Sequence, residues 1–447
     1  MNDLTQLTEG RLALRNASSK IKSNNISIRE FINKMNQYKS NETGKQVEVD
    51  PLIYAHAHNT TDVKELLEDF ISNSDYRNFT SVIKRFEEQG IIEERIDTGG
   101  SKKLTFDSVL ALRKHFGLPS WGDRYDASVI GVQNQKGGTG KTTSASNFAV
   151  GIAGDIKQDA RVVFIDFDPQ GSGGVSLMDT KGLDDDSPIV TIVDILLHEL
   201  ESRHEEGIDY RGNEEEGLTP NIVSHLIKQG CTLEDVIDLV MMNTHISNLK
   251  VIPAYPADGR FQEVFYNLPV EEKQKLAAMF TDQIIPAIKK YCDFIVFDVA
   301  PSDLPINWML VDAVEFMVTP FTPNYLDFIS TRDFITATDT RIDFLHSRGK
   351  NILSFYALPV NYDKDDKTQK SVLDMAATDF GSALSTKRIY RNKLFSEAAY
   401  KERTIFDMRP LTNNKTSTKL GKQAIENMEE VIEDLLNIVM RHKAKKA

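Results

Sequence analysis

Cysteine and tryptophan are scarce in this 447-residue chain, with two of each. Cys231 and Cys292 lie far apart and outside any Cys-x-x-Cys context, which argues against a disulfide framework or a cysteine-held metal centre and leaves two ordinary buried thiols. Long apolar runs are missing as well. None approaches the ~20 residues that a membrane span requires, and no basic start followed by an apolar stretch of signal length opens the sequence. The expected setting is the cytoplasm, with no membrane partner. Proline is sparse at 15 residues and apolar residues make up 40%, so the chain can bury a large core, divided by its length into two or three domains.

Acid exceeds base, for a formal net charge of −13, a balance that ordinarily argues against a nucleic-acid partner. The distribution argues otherwise. Residues 1–120 hold 17 basic and 17 acidic side chains, whereas residues 380–447 hold 14 basic and 8 acidic. Acid concentrates at 184–216, with 12 acidic and 2 basic residues from Asp184-Asp185-Asp186 to Glu214-Glu215-Glu216. This stretch reads as a solvated insertion at about 180–219, or alternatively as a partner surface.

What the chain does have is a phosphate-gripping loop. A β-branched run at 128–132 feeds Gln133-Asn134-Gln135-Lys136-Gly137-Gly138-Thr139-Gly140-Lys141-Thr142-Thr143 and then a helical pattern. Gly137, Gly138 and Gly140 lack the Cβ that would keep backbone N–H groups from polyphosphate oxygens, and the following helix adds its positive dipole end. In such a loop Lys141 reaches the β- and γ-phosphates and the Thr142 hydroxyl ligates Mg²⁺. Position 135, where a first glycine is usual, is Gln, and Lys136 leads the loop as an additional lysine. A ligand-free glycine turn is the bland alternative. It gives no reason for strand, loop, lysine, hydroxyl and helix to occur in this order.

Metal and attacking water need carboxylates beside the phosphates. Two apolar runs deliver them, Val162-Val163-Phe164-Ile165-Asp166-Phe167-Asp168 and Phe294-Ile295-Val296-Phe297-Asp298. Open α/β sheets place their ligands at the C-terminal ends of such strands. Asp298 suits the Mg²⁺ shell through water, and Asp166 suits orientation of the attacking water, so Thr142, Asp166 and Asp298 are the candidate metal-site residues.

Lys136–Thr143, Asp166–Ser172 and the strand ending at Asp298 resemble, in that order, the deviant Walker A, A′ and Walker B motifs of the ParA partition ATPases. The segment Ile389–Ala398 looks like one that these proteins carry near their C-terminal helices, and the resemblance spans roughly 128–440. It implies binding of ATP and ADP with Mg²⁺, slow hydrolysis, and a homodimer that forms on ATP. In the family's pattern Lys136 reaches the partner's nucleotide, Lys141 holds phosphates in its own subunit, Asp166 is the hydrolytic residue, and Asn361 resembles the position that contacts adenine. The ATP-bound dimer is then implied to coat DNA nonspecifically, until hydrolysis stimulated by a ParB-type centromere-binding partner releases it. The expected fold is α/β, a P-loop NTPase with a mostly parallel sheet and helices on both faces. Its strands fall near 129–133, 162–166, 250–253, 294–298, 314–319 and 352–360, alternating with helices such as 142–154, 273–290 and 326–347.

Residues 1–118 read as a separate, α-rich module, with 119–127 as the linker and 128–447 as the ATPase domain. Ser27 with Glu30 and Asp62 with Glu65 form capping boxes for two helices, the first running to about Tyr38. Phe79, Val82, Ile83 and Phe86 lie at helical spacing, with Arg77, Lys84 and Arg85 outward. Residues 91–96 and 101–106, joined by Asp97-Thr98-Gly99-Gly100, read as a hairpin. Helix, turn, helix, hairpin is the order of a winged helix-turn-helix, in which Lys102 and Lys103 meet DNA backbone beside a major-groove helix. A small dimerisation or protein-docking domain is the alternative. Larger ParA proteins carry such a module, with a first helix, here near Leu7–Ile21, that pairs the subunits, and they use it to repress their own operon. Lys387, Arg388, Arg391, Lys393, Lys415, Lys419 and Lys422 form a second expected DNA surface, one that binds phosphates without reading bases. The last helix, about 417–441, sets Leu420, Ile425, Met428, Ile432, Leu435 and Val439 against an acidic face, which suits packing on the sheet rather than lipid. Partition of DNA is thus the expected role. A nucleotide-gated transcriptional regulator that moves no cargo and a metabolic P-loop ligase are the alternatives.

Overall fold

Fully buried apolar strands define the centre of the molecule, β6 (Ser128–Val132), β7 (Val162–Asp166), β10 (Phe294–Asp298) and β11 (Phe316–Phe321). In the computed structural model, which describes residues 17–20, 38–39, 48–97, 102–169, 172–179, 190–204, 222–411 and 415–445, they belong to one seven-stranded sheet. Three further strands complete it, β8 (Met242–Asn243), β9 (Leu249–Ile252) and β12 (Ser354–Pro359), in the order β12-β11-β6-β10-β7-β9-β8. All neighbours are parallel except β8, which runs antiparallel to β9 at the edge. Both faces are covered, as a parallel sheet requires. Alternate strand residues Ile130, Phe164 and Val296 join one apolar cluster with Phe148 of the helix Lys141–Ala153 and Met428 of the C-terminal helix Lys415–Lys443. Their neighbours Val129, Ile165 and Phe297 join the opposite cluster with Leu276, Ile288 and Leu310. The expected parallel α/β sheet is therefore present, with strand ends within two or three residues of those read from the sequence.

The C-terminal helix packs its stripe as expected, with Met428, Leu435 and Val439 buried, although Leu420 at its start is exposed. The acidic insertion needs correction over the part described. Ile192–His204 is a helix whose Ile195, Leu196 and Leu200 lie in the core, so this portion is not a solvated loop. Its apolar spacing outweighs the charge count because Ile195, Leu196 and Leu200 share a buried face, and the helix's acid Asp194 is itself buried and paired with Arg260.

Before the sheet, a second, three-stranded antiparallel sheet combines β3 (His58–Asn59), β4 (Ile96–Asp97) and β5 (Lys102–Leu104), with β5 central. Between β3 and β4 lie the helices Thr60–Leu66, Asn73–Arg77 and Phe79–Glu88. The hairpin is shorter than expected, and a strand that the sequence reading did not anticipate, β3, pairs with it. The helix expected to start at Asp62 begins earlier, with Asn59 as its N-cap residue. Tyr38, expected to close a helix, instead pairs with Val49 in the small ladder of β1 (Tyr38–Lys39) with β2 (Glu48–Val49). The rest of the Ser27 helix, most of the Leu7–Ile21 helix and the turn at 98–101 lie outside the described residues.

The 119–127 linker is not a free tether. Trp121 is fully buried with its ring 4.7 Å from that of Phe294, and the Arg113 guanidinium donates to the carbonyls of Ile156 and Pro119, each at 2.7 Å. Apolar residues of the module, such as Val63, Val82 and Val109, form one continuous cluster with those of the ATPase sheet.

Candidate functional site

The loop after β6 closes over a helix N-terminus. Gly138 and Gly140 have φ of +79° and +74°, left-handed conformations that glycine adopts without strain, and Gly140 is the N-cap of the helix Lys141–Ala153. Asn134 braces the loop from below. Its amide donates to the Pro320 carbonyl at 3.0 Å and the Thr331 hydroxyl at 2.9 Å, and its oxygen accepts the Lys136 N–H at 3.1 Å. Lys141 is buried and spans the loop, donating to the Lys136 carbonyl at 3.1 Å. Burial lowers its pKa, opposed by the charges of Asp298 and Asp168. Lys136 behaves differently, half-exposed with its ammonium 3.8 Å from Asp327. Asp327, which also accepts from the Thr322 hydroxyl, and Asn134 carried no motif that marked them in the sequence.

Asp166 and Asp298 end strands that are direct neighbours, in register with each other. Both are buried, at 3% and 1% exposure. Asp166 is held from two sides, by the Gly174 N–H at 2.7 Å and the Asp168 N–H at 2.9 Å. Gly174 is required at that approach, since a Cβ there would lie 2.9 Å from Pro253 Cα and 3.0 Å from Asp166 Cβ. Burial, against these hydrogen bonds, pushes the Asp166 carboxyl up to about 6. Asp298 is raised well above the ordinary carboxyl range by burial and by the adjacent Asp166, with the Thr142 side chain beside it opposing. Neither of its oxygens has a hydrogen-bond partner of good geometry. Two buried carboxylates with unspent lone pairs, next to a hydroxyl at a helix N-terminus, are a donor set for a hard divalent cation. Asn361 lies just beyond β12 with φ of +52° and is exposed, while Val360 before it packs toward Gly140.

A cavity of about 540 Å³ opens beside the helix N-terminus, lined among others by Thr142, Thr143, Asn147, Gly173 and Arg403. Its outer wall is tied to the loop helix by the Ile405 N–H, which donates to Asn147 Oδ1 at 3.1 Å.

Of the expected DNA-facing residues in the module, Arg77, Lys84, Arg85 and Lys102 are exposed. Lys103 is half-buried with its ammonium over the Tyr54 ring, and Lys84 lies 3.8 Å from Glu88. Lys84 and Lys102 line one open groove with Thr80, Glu87 and Arg95. In the C-terminal region the structure draws two separated stretches together. The Asn392 amide donates to the Leu420 carbonyl and the Asn427 amide to the Arg388 carbonyl, setting exposed Arg391 and Lys393 beside the helix that carries exposed Lys419 and Lys422. Lys387 and Arg388 are spent in part, the first on Glu430 at 3.0 Å and the second over the Tyr362 ring. The side chain of Lys415 lies outside the described residues.

Residues 127–341 match the family model of an AAA domain. The plasmid partition protein A of Escherichia coli is 23% identical over 281 residues, covering 61% of this chain and 62% of that protein. The chain thus aligns with less than two thirds of that relative's length. The sporulation initiation inhibitor protein Soj of Bacillus subtilis is 27% identical over 198 residues, 44% of this chain and 59% of that one. Among solved structures, one described as a partition protein superposes with a TM-score of 0.54 at 16% identity, covering 93% of this chain and 99% of its own. The chain is thus similar to AAA domains over 127–341 and, more distantly, to proteins named for partition. The likeness to the solved structure is one of fold, and it extends over the N-terminal module as well as the sheet. No helix among the described residues is long and apolar enough to cross a membrane.

Proposed function

We propose that this chain is a Mg²⁺-dependent ATPase that partitions DNA, switching between nucleotide states as a homodimer. The observation that carries the reading is the convergence of Lys141, Thr142, Asp166 and Asp298 at one helix N-terminus beside a second lysine, Lys136. In this reading the Gly137–Thr143 backbone and Lys141 hold the phosphates, and Thr143 and Asn361 stand toward the nucleoside. Thr142, with Asp298 and Asp166 behind it, would hold Mg²⁺, which when bound neutralises phosphate charge. Asp166 orients the attacking water and accepts its proton, a task for which a carboxyl raised to about 6 is suited at neutral pH. The Lys136 ammonium, half-exposed and 3.8 Å from Asp327, is available to a nucleotide in a second subunit.

DNA enters in two ways. The dimer binds nonspecifically through Arg391, Lys393, Lys419 and Lys422, with the partly engaged Lys387 and Arg388 at the margin, and a ParB-type partner releases it by stimulating hydrolysis. The N-terminal module, whose antiparallel strands flank the helices as in a winged helix-turn-helix, binds an operator through Lys84, Arg85 and Lys102 and represses its own gene. The partition names of the relatives and the module's inclusion in a shared fold support this reading.

Calorimetry with magnesium-ATP tests the base of the reading. The full chain should bind, Lys141→Ala should not, and Lys136→Gln should bind ATP yet stay monomeric in sedimentation. Absence of heat with the full chain overturns the proposal. Labelled protein in cells separates partition from regulation without cargo, since only the former predicts moving or patterned nucleoid foci rather than a static spot at its promoter.

A further inference from the structure

Three side chains from distant parts of the sequence meet where the N-terminal module rests on the ATPase. His56 caps the helix Pro51–Ala55, His245 lies in the turn between β8 and β9, and Asp407 sits in the short helix Phe406–Leu411. Both imidazole Nε2 atoms approach one atom, Asp407 Oδ1, at 2.8 Å for His56 and 2.7 Å for His245. The other carboxylate oxygen is fixed by the Thr404 N–H at 2.8 Å and its hydroxyl at 2.7 Å. The three donor atoms lie within 4.8 Å of one another, and His56 and Asp407 are 5% and 1% exposed. No other group of three such donors occurs among the described residues.

We propose that His56 Nε2, His245 Nε2 and Asp407 Oδ1 bind one divalent transition ion, Zn²⁺ or Co²⁺, which fastens the N-terminal module to the ATPase. Two imidazoles and a carboxylate, with a water in fourth place, are a donor set these ions take. Thr404 holds the carboxylate in the way that outer hydrogen bonds orient a ligating group. To admit an ion at about 2.0–2.1 Å, each Nε2 draws back from Asp407 Oδ1 by roughly half an ångström. Two guanidiniums stand nearby. Arg409 is paired with Glu429 at 2.7 Å, but Arg403 acts on Asp407 with Nη1 buried and unpartnered. Its charge opposes a cation, so affinity is expected below that of a closed four-ligand site.

The test uses untagged full-length protein stripped with chelator. Co²⁺ titration should give tetrahedral visible absorption saturating at one equivalent, Zn²⁺ should displace it, and Zn²⁺ should raise the thermal midpoint. His245→Ala, at the least buried of the three positions, should weaken Zn²⁺ binding at least about tenfold and lose the thermal shift, while magnesium-ATP binding shows that the variant is folded. Asp407→Asn should do the same to the metal. If the full chain binds no Co²⁺ or Zn²⁺, or binds as well without His245, the proposal fails and the trio is a hydrogen-bonded clasp only.

Discussion

Asp166 concentrates the chemistry of the site into one titrating group. Its folded pKa of about 6 stands above the ordinary value of 3.8, so between about pH 4 and 6 the folded carboxyl keeps a proton that the unfolded chain gives up. Stability contributed by that proton is complete below pH 4 and is lost as pH rises toward 6. At pH 7 without metal the ionised form is a burden, and Asp166→Asn is expected to stabilise the metal-free protein by about 1–2 kcal/mol, read as a higher urea midpoint that vanishes at pH 4. With Asp166 in the proposed Mg²⁺ site, the affinity for Mg²⁺ in a calorimetric titration is expected to fall below about pH 6, because the ion competes with protons. Asp166→Ala should retain ATP binding and lose turnover in a single-turnover assay, so normal turnover in that variant removes the hydrolytic role assigned here. Lys136 and Asp166 were legible in the sequence because motif spacing is local. Asp327 and Asn134 were not, since the contacts that give them meaning cross the sheet to β11 and the helix after it.

At the scale of elements, two basic surfaces are separable. Lys419 and Lys422 project from the exposed face of a helix whose other face is buried, so Lys419→Glu with Lys422→Glu should abolish nonspecific DNA binding in a salt-dependent assay and leave ATP affinity intact. Lys84→Glu with Arg85→Glu, on the helix Phe79–Glu88, should abolish promoter-specific shifts while leaving ATP-dependent nonspecific binding. If both pairs weaken both activities equally, the division between surfaces is wrong. The helix at 192–204 shows the opposite lesson. Charge counting placed it in solvent, yet its apolar stripe joins the core, because Ile195 and Leu196 are buried and the neighbouring Asp194 is buried with them and paired with Arg260.

From Val63 onward the N-terminal module and the ATPase sheet share one packed core. A shared core runs from Val63 and Val109 to the sheet, and Trp121 with Arg113 fills the junction that the sequence marked only as a boundary. Thermal unfolding of the metal-free chain is therefore expected as a single cooperative transition by both circular dichroism and tryptophan fluorescence. Trp121→Ala should lower stability by about 3–5 kcal/mol and split that transition in two. Local pattern sufficed for the phosphate loop, the two aspartate-bearing strands and the parallel sheet, because glycine freedom, β-branched burial and strand alternation act over a few residues. Docking of the module on the ATPase, the pairing of Lys136 with Asp327, and the meeting of His56, His245 and Asp407 were decided by tertiary structure alone. Their partners lie far apart in the chain, and only burial of a common core brings them within hydrogen-bonding reach.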